Sequence, residues 1–317
     1  MRAKIYTLML TALSFSMTSC FDDTDDITQE NINTIEAFLT ENDLLENAVK
    51  TSSGSYVVTV EEGSSKNAES NLVLETDYYA YIFDPNAENG EGQYLGISQG
   101  FKFIPDSSIF SLGFSEGVQE MTEGQRAEFY IPSGIPAGAS PGFSTDVLIP
   151  SGAIFKYDTR LKAIRTLAEQ NAMEDELIEE SLDSLARDVL TEIGELPEPF
   201  VIEDLIERLD SGVVKVRILS RGDTTSVTTD SQVNADYQGF FLENGDMFDE
   251  AFDTTFELDT TSFVFGFSQG LLNMKQGERA LIFIPSRAGY GATGSSDGTI
   301  PPFEPIYFDV YVREVTE

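Results

Sequence analysis

Residues 266–317 decide the fold of this chain. Their informative patches are GFSQGLLNMKQGERALIFIP (266–285), AGYGATG (288–294), TIPP (299–302) and IYFDV (306–310). Phe267, Leu271 and Met274 recur at helical spacing, which predicts a short helix with one apolar face. The residues after Gly277 alternate between polar and apolar, which predicts a strand.

The first of these patches has an earlier copy in the chain. Residues 113–132 read GFSEGVQEMTEGQRAEFYIP and are identical to residues 266–285 at ten of twenty positions, at an offset of 153 residues. Three shorter matches extend the repeat: Asp77-Tyr78 with Asp236-Tyr237, Ile149-Pro150 with Ile300-Pro301, and Tyr157-Asp158 with Phe308-Asp309. The chain is therefore predicted to contain two copies of one domain of about 100 residues.

Both copies are predicted to have the same layout. An opening strand, a strand that carries a tyrosine, an Asn-Gly turn, a short helix and two later strands follow in order. The features that mark this layout are Tyr56–Val60 and Val213–Leu219, Tyr78 and Tyr237, Asn89-Gly90 and Asn244-Gly245, and the last strand, Ile306–Val312. Several antiparallel strands with one short helix against their face make an α+β half-barrel.

Two helical stretches lie outside the copies. One begins near Glu174 and ends at Gly194 and Pro197, and the other is predicted over Ile32–Val49. We interpret both as struts docked on the barrels, and a dimerisation seam is the alternative. The strut is favoured because neither helix sustains a heptad for long. The apolar face of the later helix is marked by Leu177, Ser181, Leu182, Leu185, Val189 and Ile193.

The first twenty residues have the pattern of a targeting segment. Arg2 and Lys4 precede a mostly apolar run that ends at Met17 and is too short to span a bilayer. The chain's single cysteine, Cys20, follows small polar residues. The pattern resembles a bacterial lipoprotein signal, which implies lipidation at Cys20, and an ordinary secretory signal is the alternative. The acidic run after Cys20 is predicted to be a flexible tether and resembles the export tags of Bacteroidetes-type surface lipoproteins.

Composition excludes several classes of function. The chain has no His, no Trp and one Cys, which rules out histidine triads, histidine metal sites, thiolate zinc clusters and disulfide frameworks. Its formal net charge of −36 repels nucleic acids and anionic lipid headgroups. No cofactor, no metal and no nucleic-acid partner are therefore expected.

The patches of the second copy resemble the C-terminal half of an FKBP-type peptidyl-prolyl isomerase domain. The resemblance implies catalysis of slow rotation about X–Pro bonds in an aromatic pocket, with no nucleophile and no metal. By position in the family's motifs, the catalytic residues would be Tyr237, Phe248, Asp249 and Tyr290. The substrate-binding residues would be Phe256, Val264, Phe267, Ile300 and Phe308.

The same resemblance implies individual roles. Phe267 stands at the family's tryptophan position and would form a smaller but still flat pocket floor. The backbone N–H of Val264 and the hydroxyl of Tyr290 would hold substrate carbonyls. Ser295 or Ser296 stands where some members have a histidine. The other phenylalanines of the region, Phe240, Phe241, Phe263 and Phe265, are predicted to be core or strand-face residues.

The first copy keeps the residues that maintain the fold and lacks those that the chemistry requires. No Phe-Asp pair follows Asn89-Gly90, and no tyrosine stands between Ser133 and Gly142. Ser111 replaces Val264, and Ser151-Gly152 replaces Pro302-Phe303. We therefore expect the first copy to be a scaffold or a peptide-binding module without isomerase activity.

These observations predict a tandem-domain lipoprotein of the cell envelope, anchored to the outer membrane and exposed at the surface, that isomerises proline-containing polypeptides. The alternative is a non-catalytic surface lipoprotein that binds peptides or proteins, and a carbohydrate-binding role rests on location alone. The expected divisions are a signal peptide (1–19), an acidic tether with a short helix (20–50), a degenerate domain (51–165), a helical linker (166–205) and an isomerase domain (206–317).

Overall fold

A computed structural model describes residues 23–105, 110–133, 148–219, 225–258 and 263–316, with side chains from residue 27 onward. The predicted signal peptide, the predicted lipidation site Cys20 and most of the loop from Ser133 to Gly142 lie outside the described residues.

The first copy forms a six-stranded antiparallel sheet. Its elements are α1 (Asp23–Glu41), β1 (Ala48–Lys50), β2 (Tyr56–Glu61), β3 (Val73–Phe83), β4 (Glu91–Phe103), α2 (Leu112–Gln119), β5 (Arg126–Ile131) and β6 (Phe155–Arg165). The strands lie in the order β1-β2-β5-β6-β3-β4.

The second copy repeats this topology. Its elements are α3 (Leu167–Glu192), β7 (Ile206–Arg208), β8 (Val214–Leu219), β9 (Gln232–Phe241), β10 (Met247–Glu257), α4 (Phe265–Leu271), β11 (Arg279–Ile284) and β12 (Ile306–Thr316). The strands lie in the order β7-β8-β11-β12-β9-β10, so each strand has the same neighbours as its counterpart in the first copy. The predicted α+β fold with two similar antiparallel sheets is therefore confirmed.

The short helix of each copy packs closely against its sheet. In the second copy, a Cβ atom at Gly270 of α4 would lie 2.2 Å from Cγ2 of Ile282 on β11. Only glycine permits this approach, because any side chain would force the helix away from the sheet. Phe267 and Leu271 are buried between α4 and the strands, as their helical spacing predicts. This packing fixes where Phe267 stands.

A longer helix covers the opposite face of each sheet. On α3, Ile178, Leu182, Ala186 and Leu190 are buried at intervals of four residues and pack in one cluster with strands β8 and β11. On α1, the cluster formed by Ile35, Phe38 and Leu39 packs in the same way against β2, β3 and β5. Both helices are therefore docked on a sheet face rather than held away from it as free spacers.

The boundaries of these helices differ from the predicted ones. Helix α1 begins at Asp23, so part of the acidic run predicted to be a tether belongs to its first turn. It ends at Glu41, and residues 48–50 form β1 instead of its last turn. Helix α3 begins at Leu167, earlier than Glu174, because Thr166 and Glu169 form a capping box.

No helix within the described ranges is both long enough and apolar enough to cross a bilayer. In the same part of the chain, no group of three or more His, Cys, Asp or Glu side chains is arranged to hold a metal ion.

Candidate functional site

A cavity of about 430 Å³ opens in the second copy beside the start of α4. Five of its seven lining residues are aromatic and one more is apolar, while an aspartate and the hydroxyls of two tyrosines supply polar groups at its rim. The lining residues are Tyr237, Asp249, Phe263, Val264, Phe267, Tyr290 and Phe308. A mostly apolar cavity with few polar groups is the usual form of a ligand site.

The floor of the cavity is the ring of Phe267. This side chain is only 1% exposed and is surrounded by Phe308, Phe263 and Tyr237, at ring-centroid distances of 4.7, 5.1 and 5.8 Å. The contacts with Phe308 and Tyr237 are edge-to-face, a favourable geometry for aromatic pairs. Because its neighbours hold it on several sides, the floor is rigid.

The best-defined polar contact at the rim joins Tyr237 and Asp249. The Tyr237 hydroxyl donates a hydrogen bond to Oδ2 of Asp249 at 3.1 Å. Burial, the charge of Asp249 and this hydrogen bond together raise the pKa of Tyr237 to about 12. The phenol therefore stays protonated at neutral pH. An irregularity in the pairing of β9 with β10, between Met247 and Asp249, re-aims the side chains of this part of β10.

Tyr290 enters the cavity from a loop. Burial raises its pKa, and the charges of Asp249 and Asp297 add to the effect, so its hydroxyl also remains a donor. Among the described residues, none forms a hydrogen bond with this hydroxyl, which leaves it available to a ligand. The loop is fixed on both sides, because the Gly291 N–H donates to Ser286 O at 2.8 Å and the Phe303 N–H donates to Gly291 O at 2.9 Å.

The structure brings six of the nine predicted pocket residues to the cavity wall: Tyr237, Asp249, Val264, Phe267, Tyr290 and Phe308. The other three support it from behind. Phe248 packs against the ring of Phe308 at 5.6 Å, and Phe256 packs against Phe263 at 4.6 Å. Ile300 is 3% exposed and belongs to the core.

One lining residue was assigned differently from the sequence. Phe263 was predicted to be core or strand face, yet its ring lines the cavity. The other three phenylalanines of that group do not line the cavity. Phe240 stacks on Tyr307 at 4.9 Å, Phe241 packs against Phe248 at 5.1 Å, and Phe265 is 52% exposed. Phe263 stands directly before Val264 and helix α4, a position that does not by itself distinguish a cavity residue from a core residue.

The equivalent volume of the first copy is filled. Phe110, the counterpart of Phe263, stacks on Phe114 with centroids 4.3 Å apart and an interplanar angle of 17°. Phe103 also packs against Phe110, with ring centroids 4.6 Å apart, and Tyr78 is 1% exposed. Ser111, which replaces Val264, accepts a hydrogen bond from the Phe114 N–H and caps α2. Among the residues that the structure describes, the ring of Phe110 takes the place against Phe114 that a proline ring would need.

Comparison with known proteins agrees with this geometry. Residues 223–313 match the model of the family described as FKBP-type peptidyl-prolyl cis-trans isomerase. An FK506-binding protein of Neisseria meningitidis is 32% identical over 121 residues, which are 37% of this chain and 96% of that protein. The peptidyl-prolyl cis-trans isomerase FPR2 of Saccharomyces cerevisiae is 30% identical over 119 residues, which are 36% of this chain and 87% of that protein.

Among solved structures, a peptidyl-prolyl cis-trans isomerase of Pseudomonas syringae pv. tomato is similar to this chain at 26% sequence identity, with a TM-score of 0.33. The match covers 42% of this chain and 96% of that one.

Proposed function

The chain belongs to the family of FKBP-type peptidyl-prolyl cis-trans isomerases, and from that premise we propose that X–Pro bonds of polypeptide substrates rotate in the aromatic cavity of its second copy. The family gives the chain peptidyl-prolyl isomerase activity. The proposal adds the site, the roles of its residues and the place in the cell where it works.

The physical requirement is a surface that binds the twisted imide better than the planar one. The rotational barrier of a peptide bond is about 18–20 kcal/mol because rotation breaks amide resonance. The planar form has the larger dipole and is better solvated by water, so transfer to an apolar cavity penalises the planar form more. Only interactions that are stronger in the transition state accelerate the reaction. A cavity whose floor is Phe267 and whose wall includes Phe308 meets this requirement.

The polar groups at the rim then fix the substrate's carbonyls. Among the described residues nothing hydrogen-bonds to the Tyr290 hydroxyl, so it can donate to a substrate. The Val264 N–H stands at the N-cap of α4, where backbone donors lack intrahelical acceptors. Tyr237 and Asp249 form a hydrogen-bonded pair beside them. Holding the carbonyls on both sides of the prolyl bond while the imide turns lowers the barrier without any covalent step.

A single observation carries the proposal. In the second copy a cavity of about 430 Å³ opens beside Phe267, whereas in the first copy the ring of Phe110 stacks on Phe114 with centroids 4.3 Å apart. The alternative, a protein that binds chains without catalysis, does not require this difference or the donors at the rim.

A protease-coupled assay on a proline tetrapeptide tests the proposal with the full chain. We expect cis-to-trans isomerisation to accelerate in proportion to enzyme concentration, because the open cavity is present in the intact protein. A rate that stays at the uncatalysed value over the micromolar range, with folded protein, would leave only the binding role.

The proposed place of action is the cell envelope, with a lipid anchor at Cys20. The support comes from the sequence, in which the only cysteine stands where a lipoprotein signal requires it. We expect the wild-type protein in the membrane fraction of the producing bacterium and the Cys20→Ala variant in the soluble fraction. Equal membrane association of the two would contradict the anchor.

A further inference from the structure

The loop that carries Tyr290 is held from outside the isomerase sheet by helix α3. The Ser286 N–H donates to Oε2 of Glu174 at 2.8 Å, and the Ser286 hydroxyl donates to Oε1 at 2.9 Å. Both residues are 2% exposed. Next to this contact, the Arg287 guanidinium lies 2.7 Å from a carboxylate oxygen of Asp175. Two consecutive residues of the helix thus hold two consecutive residues of the loop.

Ser286 is the point on which the loop turns. It begins a single 3-10 turn, Ser286–Ala288, which leads directly to Gly289 and Tyr290. The N–H groups of Gly289 and Gly291 both donate to Ser286 O, at 2.9 and 2.8 Å. The residues on either side of Tyr290 are therefore tied to Ser286, and a displacement of Ser286 displaces the tyrosine.

The chemistry of the contact requires a carboxylate. Glu174 accepts from the Ser286 N–H, from the Ser286 hydroxyl and from Nε2 of Gln170 at 3.1 Å, so all three partners donate to it. An ionised carboxylate is an acceptor only and suits three donors, whereas an amide would direct N–H groups at some of them. Burial raises the pKa of Glu174, and the hydrogen bonds from Gln170 and Ser286 oppose that rise.

The contact has a counterpart in the first copy, but there it lacks the charge. Ser133 precedes Ser286 by the repeat offset, and α1 reaches it in the way that α3 reaches Ser286. The Asn31 amide donates to the Ser133 hydroxyl and to Gly152 O, and the Thr28 hydroxyl donates to Ser133 O at 3.0 Å. Helix-to-loop contact belongs to both copies, while the buried carboxylate occurs in the copy whose cavity is open.

We propose that Glu174 is a positioning residue for the isomerase reaction: through Ser286 it sets where the Tyr290 hydroxyl stands in the cavity. The proposal rests on the proposed role of Tyr290. Arg287 and Asp175 add little to it, since both side chains are largely solvated, at 30% and 50% exposure, and exposed ion pairs contribute little. Through the contact between Glu174 and Ser286, helix α3 is connected to the active site. This helix follows β6 of the first copy directly.

Glu174→Gln in the full chain tests the proposal, with Asp183→Asn as its matched control. Asp183 is an exposed carboxylate on the same helix whose partner is Arg187, four residues away. We expect Glu174→Gln to lower kcat/KM by about 5–20-fold, because misplacement of about 1 Å can cost up to 100-fold. The control should change kcat/KM by less than about 2-fold.

A double-mutant cycle separates positioning from general destabilisation. If Glu174 acts through Tyr290, adding Glu174→Gln to Tyr290→Phe should lower kcat/KM by less than about 2-fold further, because the two effects are not additive. An equal loss from Glu174→Gln in both backgrounds would overturn the proposal. Ser286→Ala, which removes only one of the two hydrogen bonds from the loop, should give a smaller loss and serves if Glu174→Gln fails to fold.

A spectroscopic measurement keeps the test independent of the proposed function. With 3-fluorotyrosine incorporated, the ¹⁹F resonance of Tyr290 is assigned by its absence in Tyr290→Phe. We expect Glu174→Gln to shift or broaden this resonance and Asp183→Asn to leave it unchanged. An unmoved resonance overturns the positioning role. A wild-type protein without isomerase activity overturns the proposed function and leaves this resonance as the test of positioning.

Discussion

The full chain that carries Asp249→Ala together with Tyr290→Phe is expected to lose about 100-fold or more of its kcat/KM on a proline tetrapeptide. Tyr290→Phe removes the donor proposed to hold a substrate carbonyl, and Asp249→Ala removes the acceptor that orients Tyr237 at the rim. A lost hydrogen bond at about 1.4 kcal/mol is a factor of about ten. Removing Asp249 also leaves the half-buried Tyr237 hydroxyl without its acceptor. Each single variant should therefore lose about ten-fold.

The same assay includes its own control. Glu250→Ala removes an acidic side chain one residue from Asp249, and Glu250 accepts a hydrogen bond from Gln238 rather than from Tyr237. We expect this variant to stay within about 2-fold of wild type, as surface changes usually do. A double variant that retains more than a tenth of wild-type kcat/KM would show that the rim groups are not essential. Because the first copy remains intact in it, the residual rate also bounds what that copy contributes.

The order of helices and strands could be predicted because it is encoded locally. Glycines at fixed offsets, Asn-Gly turns and alternating apolar residues recur in both copies, and each recurrence supports the other. Helix α4 is an example. The helical spacing of its apolar residues is visible in the sequence, and Gly270 marks the point where the helix approaches Ile282 of the sheet. The ends of the helices were predicted less accurately. Helix α1, for example, begins nine residues before the predicted Ile32.

The cavity wall could be predicted only in part. Motif positions identified Tyr237, Asp249 and Tyr290, which the structure places together. Phe263 could not be separated from the core phenylalanines, because a ring before a helix has the same local pattern whether it faces the core or an opening. Which of the two it faces depends on how strands and loops far away in sequence pack around it.

The contact between Glu174 and Ser286 had no signal in the sequence. The two residues are 112 positions apart, and Glu174 is one of 55 acidic residues in the chain. Its helix was predicted, but the most buried row of that helix runs through Glu174 and Ile178 and shares only Leu182 with the predicted face. A buried carboxylate among many exposed ones is distinguished only by its tertiary partners.

The last prediction compares one substitution at the equivalent position of both copies. Phe110→Ala in the first copy should lower the free energy of unfolding by about 3–5 kcal/mol, because it removes a buried ring that packs on Phe114 and Phe103. It should leave kcat/KM within about 2-fold of wild type, since no catalytic contact is lost. Phe263→Ala in the second copy should show the opposite pattern.

Phe263 is only partly buried and lines an open cavity, so its loss should cost less than about 2 kcal/mol of stability. The same loss removes one wall of the site and should lower kcat/KM by about ten-fold. Chemical denaturation measures the free energy of unfolding of both full-length variants, and the protease-coupled assay measures their kcat/KM. A fall in kcat/KM for Phe110→Ala, or its rescue of activity when the second copy is inactivated, would mean that the first copy takes part in catalysis. The expected pair of results would mean that the same fold has two uses. In the first copy the ring at this position packs in the core and stabilises the domain, and in the second copy it lines the cavity that admits a prolyl bond.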